Sequence, residues 1–146
     1  MKSDTFKTAN TEIAIEDDIV VIKTLGEVTR EDLVVIFDAY FKVRSRYGRV
    51  FAMYDGRQGK GMASDARKEI MASSDNPDRQ TNAVAVFGAP FAMRILVNML
   101  DRALIGLRRR SLGVTMFATE AEARAHLAQQ RQRLAANGSP SATQMA

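Results

Sequence analysis

The sequence predicts an α/β domain built on a single-layer mixed, mainly parallel sheet of about five strands covered by about four helices. Three observations predict it. Short apolar stretches with strand character alternate with stretches of helical periodicity, and glycines, prolines and capping residues mark the changes between them. The strand candidates are also uniformly apolar, as strands covered on both faces are.

Residues 1–11 are polar and are expected to be a flexible N-terminus. Ile13 and Ile15, the acidic pair Asp17 and Asp18, and then Ile19 to Ile22 read as a β-hairpin around a turn. A helix follows. Thr29 and Asp32 have the spacing of a capping box, Leu33, Ile36, Phe37, Tyr40 and Tyr47 recur at helical spacing, and Gly48 offers a left-handed stop. Next come a strand over 50–54, a loop, a helix over 64–73 and a strand over 83–87. After Gly88, Ala89 and Pro90 a long helix is expected over 91–110 and a strand over 113–117. A last helix is capped by Thr119, with Glu122 three residues on. The working domain is thus expected over 12–134, and the Gly, Ser and Pro of 135–146 suggest a disordered tail.

A chain of 146 residues can bury roughly two-thirds of its surface and needs no staples. It has no cysteine, which excludes disulfides, thiolate metal sites and Cys nucleophiles. A single histidine, His126, leaves the usual zinc and non-haem iron sites without ligands, so no metal or other cofactor is expected. The first residues lack the apolar core of a secretory signal, and no run of about 20 apolar residues could span a bilayer. A cytoplasmic location is the expectation. The net charge of +4 sits in residues 91–110, where five Arg face one Asp, leaving 16 basic and 16 acidic residues elsewhere. That is narrower than the basic face of a duplex binder, so no nucleic-acid partner is expected.

The loop after the 50–54 strand is the most informative local feature. Gly56, Gly59 and Gly61 accompany Arg57 and Lys60 between a strand and a helix that Ser64 is placed to cap, an arrangement that suits phosphate or carboxylate. Gly61 stands where a Walker A motif needs Ser or Thr, so no nucleotide loop is implied. A phosphate carried on Ser64 would also meet the helix dipole favourably, although a plain N-cap role is simpler. Asp55 ends its strand on the side where ligands of open α/β sheets gather.

In the helix expected over 91–110 the apolar set is too broad for one sheet face, and Phe91, Leu96, Met99, Leu100 and Leu104 become candidates for an interface or a lipid-like ligand. Arg108 and Arg109 join that set, though with Arg110 they also suit the dipole of a last helical turn. His126 reads as a packing histidine. Met53, Met71, Met93, Met99 and Met116 read as core filler. Neither a Ser-His-Asp order nor a Gly-x-Ser-x-Gly elbow is present, which argues against an enzyme.

The element order, with Gly26-Glu27-Val28-Thr29, Met53-Tyr54-Asp55, Ala83 to Gly88, and Met116 to Thr119 followed by Glu120 to Leu127, resembles the SpoIIAA-like branch of the STAS superfamily, also labelled STAS/SEC14 domains. The resemblance covers about 12–130. It implies a SpoIIAA-like fold and a regulatory or protein-interaction role, and its SEC14-like side implies lipid or small anionic-ligand binding. In that branch a Trp typically stands where this chain has His126. Anti-sigma-factor antagonists carry a phosphorylatable Ser after the acid that Asp55 matches, but Gly56 and Arg57 occupy those positions here. Two readings follow. One is a non-enzymatic interaction domain that is a homodimer, or meets a protein partner, through the 91–110 helix. The other is a pocket in which Arg57, Lys60 and Arg94 hold a lipid or small anion by its head group.

Overall fold

A computed structural model describes residues 4–144, with side chains to residue 137. Six strands, β1 (Asp4–Lys7), β2 (Thr11–Glu16), β3 (Ile19–Thr24), β4 (Phe51–Asp55), β5 (Ala83–Phe87) and β6 (Val114–Phe117), lie side by side in sequence order. The first two pairings are antiparallel and the rest parallel. The helices are α1 (Arg30–Tyr47), α2 (Ser64–Ser73), α3 (Phe91–Gly106) and α4 (Glu120–Gln144), with a 3-10 turn at Pro77–Arg79.

Strand order explains where the helices go. Parallel strands β3 to β6 advance in one direction, and connections of one hand then place every crossover helix on the same face. Accordingly α1 packs through Leu33, Ile36, Tyr40 and Val43 against Ile13, Val20, Ile22 and Ala52, and α2 adds Ala66 to that cluster. The opposite face of β4 and β5 is left to α4, whose Ala123 and Leu127 bury Phe51, Met53, Ala85 and Phe87. The two-residue period of β4 sends Phe51 and Met53 to one face and Ala52 and Tyr54 to the other.

The caps expected at Thr29, Gly48 and Thr119 are formed. Thr29 and Asp32 exchange capping-box hydrogen bonds, and Gly48 ends α1 at φ 74°. Glu122 accepts from the Thr119 backbone N–H while its own N–H donates to the Thr119 hydroxyl. Asp18, in the hairpin turn, is buried and accepts from Arg49 Nε and from both Nε and Nη2 of Arg131, tying that turn to the entry of β4 and to α4. Burial pushes its carboxyl up, but the hydrogen bonds from Arg131 and Arg49 outweigh this and hold it below its ordinary value.

Three expectations are corrected. Residues 4–7, expected to be flexible, form β1, whose Phe6 lies opposite Ile13 and under the Lys42 ammonium. One apolar residue in a four-residue edge strand leaves no alternation to read. The backbone of α4 continues to Gln144 through most of the expected disordered tail, and Met145 and Ala146 lie outside the described residues. Helix α3 stops at Gly106, four residues early. Its end is a Schellman motif: Arg109 N–H donates to Leu104 C=O, Arg108 N–H donates to Ile105 C=O, and Arg108 takes φ 58°. Arg108, Arg109 and Arg110 therefore lie beyond the helix rather than in its last turn.

Candidate functional site

The loop of residues 56–63 is stitched into the fold. Asp55 accepts from the Arg57 backbone N–H at 3.1 Å, from Nε at 2.9 Å and from Nη2 at 2.7 Å, and the guanidinium also stacks 5.4 Å over Phe87. The Arg57 hydrogen bond is the largest of the influences that hold the Asp55 carboxyl below its ordinary range. Gly56 N–H donates to Phe87 C=O, Gly59 N–H to Gly56 C=O, Lys60 N–H to Gly26 C=O and Ala63 N–H to Val28 C=O. A Cβ on Gly56 would come within 3.0 Å of the Ala89 backbone, so glycine serves chain packing there. Gly61 accepts from Val28 N–H, and Lys60 projects into solvent. The amides expected to cradle an anion are thus largely bonded to protein oxygens, and the Arg57 charge is met by Asp55.

The expected capping role of Ser64 is corrected. Ala63 is the N-cap, without a side-chain bond, and Ser64 is the exposed first residue of α2. Asp65 accepts the Arg30 N–H instead and joins the starts of α1 and α2.

Helix α3 turns a different stripe outward from the one expected. Phe91, Met99 and Arg108 are exposed, Leu96 and Arg109 are half-buried, and Leu100 and Leu104 are inside. Ile95, Ile105 and Leu107 are exposed as well. A helix apolar around most of its circumference does not reveal by periodicity which stripe faces in. Met99, expected as core filler, is 63% exposed, whereas Met53 is buried. His126 packs against Phe117 at 5.1 Å between ring centroids, and Arg94 lies 5.6 Å over the Phe91 ring on the outer side of α3.

Between α3 and the strands lies a cavity of about 250 Å3. Its floor is Tyr54, Val84, Val86, Val114 and Met116 on the face shared with α1 and α2. Leu33, Ile36, Phe37 and Tyr40 of α1 make one wall, Ile70 of α2 extends it, and Met93 and Val97 of α3 close the roof. The Tyr40 and Tyr54 hydroxyls, 2.5 Å apart, satisfy each other inside it. Burial raises both phenols, Tyr54 to about 12, so the pair is neutral and does not titrate near neutral pH.

The two ends of the cavity differ. Thr24, Val28 and Gly56, at the ends of β3 and β4, are buried and close one end. The exposed lining residues are Asn82, Arg110, Ser111 and Gly113, all where β5 and β6 begin. Arg79 and Gln80 join them at this rim. Arg79 is paired with Glu69 and stacks 5.0 Å over Phe37, and Arg109 bonds Met71 C=O and pairs with Asp75. Arg79, Gln80 and the tyrosine pair carry no signal in the sequence. Arg79 and Gln80 end a 3-10 turn without periodicity, and nothing in one sequence sets Tyr40 against Tyr54. Among the described residues no cluster of His, Cys, Asp or Glu could hold a metal ion, and no helix is long and apolar enough to cross a membrane.

No family model and no curated protein sequence matches the chain. Solved structures do match in fold. One is an uncharacterized protein of the DUF3478 family with a SpoIIAA-like fold from Shewanella loihica PV-4, 14% identical, with a TM-score of 0.51 over 86% of this chain and 92% of that one. Another is the anti-sigma factor antagonist SpoIIAA in its unphosphorylated form, 16% identical, with a TM-score of 0.46 over 86% of this chain and 97% of that one. The chain has a SpoIIAA-like α/β fold.

Proposed function

We propose that this SpoIIAA-like domain is a non-enzymatic binding module that holds a small apolar molecule between α3 and its sheet. The observation that carries the reading is the cavity of about 250 Å3, whose floor, α1 wall and roof are aliphatic, aromatic and thioether groups. The buried hydroxyls that line it are satisfied within the protein and ask nothing of a ligand: Tyr40 and Tyr54 bond each other, Thr24 donates to Asp55 C=O and Ser73 to Glu69. Apolar transfer is worth about 0.8 kcal/mol per methylene, so extending a ligand by two carbons should tighten binding roughly ten-fold while it still fits.

Isothermal titration calorimetry with 1-octanol and 1-decanol tests this. The longer alcohol is expected to bind roughly ten-fold more tightly, and Val97→Phe, which fills the roof side of the cavity, should abolish binding while the domain stays folded. Absence of binding by either alcohol, or equal binding by the variant, would remove the reading.

The outer face of α3 favours a second reading, in which the domain meets a second copy or another protein. Phe91, Met99, Ile105 and Leu107 are each more than half exposed there, and apolar patches of this kind mark interaction surfaces. Sedimentation equilibrium should show a concentration-dependent dimer that Met99→Ser weakens. A monomer at all concentrations would count against the homodimer.

A further inference from the structure

We infer that the molecule held in the cavity is a single-chain amphiphile with an acidic head group, seated with its chain toward Val28 and Met62 and its head at Arg110. This rests on the binding reading above and adds the chemical class and the direction of entry.

The direction follows from exposure. Every exposed lining residue lies at the β5 and β6 entry, while Val28, at the far end, is buried and Met62 beside it is half-buried. A molecule enters from the rim and leaves its last atoms there. Size argues for one chain, because about 250 Å3 falls just below the roughly 300–1,000 Å3 of sites for drug-sized ligands and is small for a two-chain lipid.

The charge of the head follows from the partners of the three arginines near the rim. Arg79 donates to Glu69 and Ser73, and Arg109 to Met71 C=O with Asp75 nearby. The Arg110 guanidinium donates instead to a neutral oxygen, Gln80 Oε1, at 2.7 Å, and forms no ion pair among the described residues. Gln80 is itself held by its Nε2 donating to Ser74 C=O at 3.1 Å, so it steadies Arg110 at the mouth. Asn82 accepts the Val50 N–H through Oδ1, and its Nδ2 donors have no partner among the described residues. A planar carboxylate matches such a set, because guanidinium hydrogen bonds to an ionised acceptor are roughly twice as strong as neutral ones.

Calorimetry with decanoic acid and 1-decanol at neutral pH separates the two layers of the argument. The wild-type protein is expected to bind decanoate roughly ten-fold more tightly than decanol. Arg110→Gln should reduce that preference to less than about two-fold, and a far-ultraviolet circular dichroism spectrum and urea midpoint matching the wild type report that the variant is folded. Arg110→Lys should keep part of it. In the wild type, raising salt from about 0.05 M to about 1 M should weaken decanoate and not decanol, a readout that needs no variant. Equal affinity for acid and alcohol, a preference that survives Arg110→Gln, or salt-independent decanoate binding would overturn the head-group inference and leave the apolar cavity standing. Binding of neither compound would overturn both.

Discussion

The two ends of the parallel strands both carry arginines and aspartates and use them differently. Where β3 and β4 end, Asp55 and Arg57 stand two residues apart and pair locally, and the glycine-rich loop donates its amides to neighbouring backbone. At the opposite end Asp18 takes up Arg49 and Arg131 from 31 and 113 residues away, while the Arg110 guanidinium bonds a neutral amide and only its backbone N–H meets a carboxylate, Asp75 Oδ1 at 3.4 Å. A cation becomes available for a ligand when its carboxylate partners are elsewhere. Counting cations and glycines in one loop does not reveal that.

Substitutions of Asp18, which gathers two arginines, and of Arg110, which has no ion pair among the described residues, test the contrast. Asp18→Ala should have the largest effect, lowering stability in urea by about 2–3 kcal/mol, because it leaves two arginines without their shared carboxylate. That figure is discounted for guanidinium groups that are 38% and 39% exposed. The Asp18 and Asp55 carboxyls are both held below their ordinary value. Their contribution is therefore complete above the unfolded carboxylate range near pH 4 and is lost as pH falls through the lower folded values. Acid titration of the urea midpoint should show a steeper loss below about pH 4 in the wild type than in Asp18→Ala.

Within the cavity the tyrosine pair offers an intermediate effect. Tyr40→Phe or Tyr54→Phe alone leaves one buried hydroxyl without its partner and should cost about 1–3 kcal/mol. The double substitution should cost less than the two singles together, and strict additivity would show that the hydroxyls are not coupled. Arg108→Gly should give a small gain of about 1 kcal/mol, since glycine takes the left-handed position without the Cβ penalty. Arg110→Gln should change stability by less than about 0.5 kcal/mol, because its side chain forms no ion pair among the described residues and its backbone bond to Asp75 is kept.

Much of the fold was legible because local signals agreed with the global arrangement. Thr29 with Asp32, Gly48, and Thr119 with Glu122 fixed three helix ends, and the apolar runs of β2 to β6 fixed the sheet. Strand β1 was not legible, since only Phe6 faces the core. Nor was the end of α3, where Arg108 fills a position usually held by glycine. The candidate site was less legible than the fold. Rules about strand ends pointed to Asp55, Arg57 and Lys60, but the cavity opens where β5 and β6 begin. Its rim joins Arg79, Gln80 and Asn82 to Arg110 and Ser111 across about 30 residues of chain. Such a rim exists only once α3 stands away from the sheet, a property of packing rather than of any one segment.

Diffraction from crystals grown with ω-bromodecanoic acid tests the account most directly, because bromine marks the chain end and the carboxylate marks the head. A bromine anomalous peak beside Val28 and Met62, with the carboxylate at Arg110, is the predicted result. Bromine confined to the protein surface, or a carboxylate at Arg57 and Lys60, would contradict it.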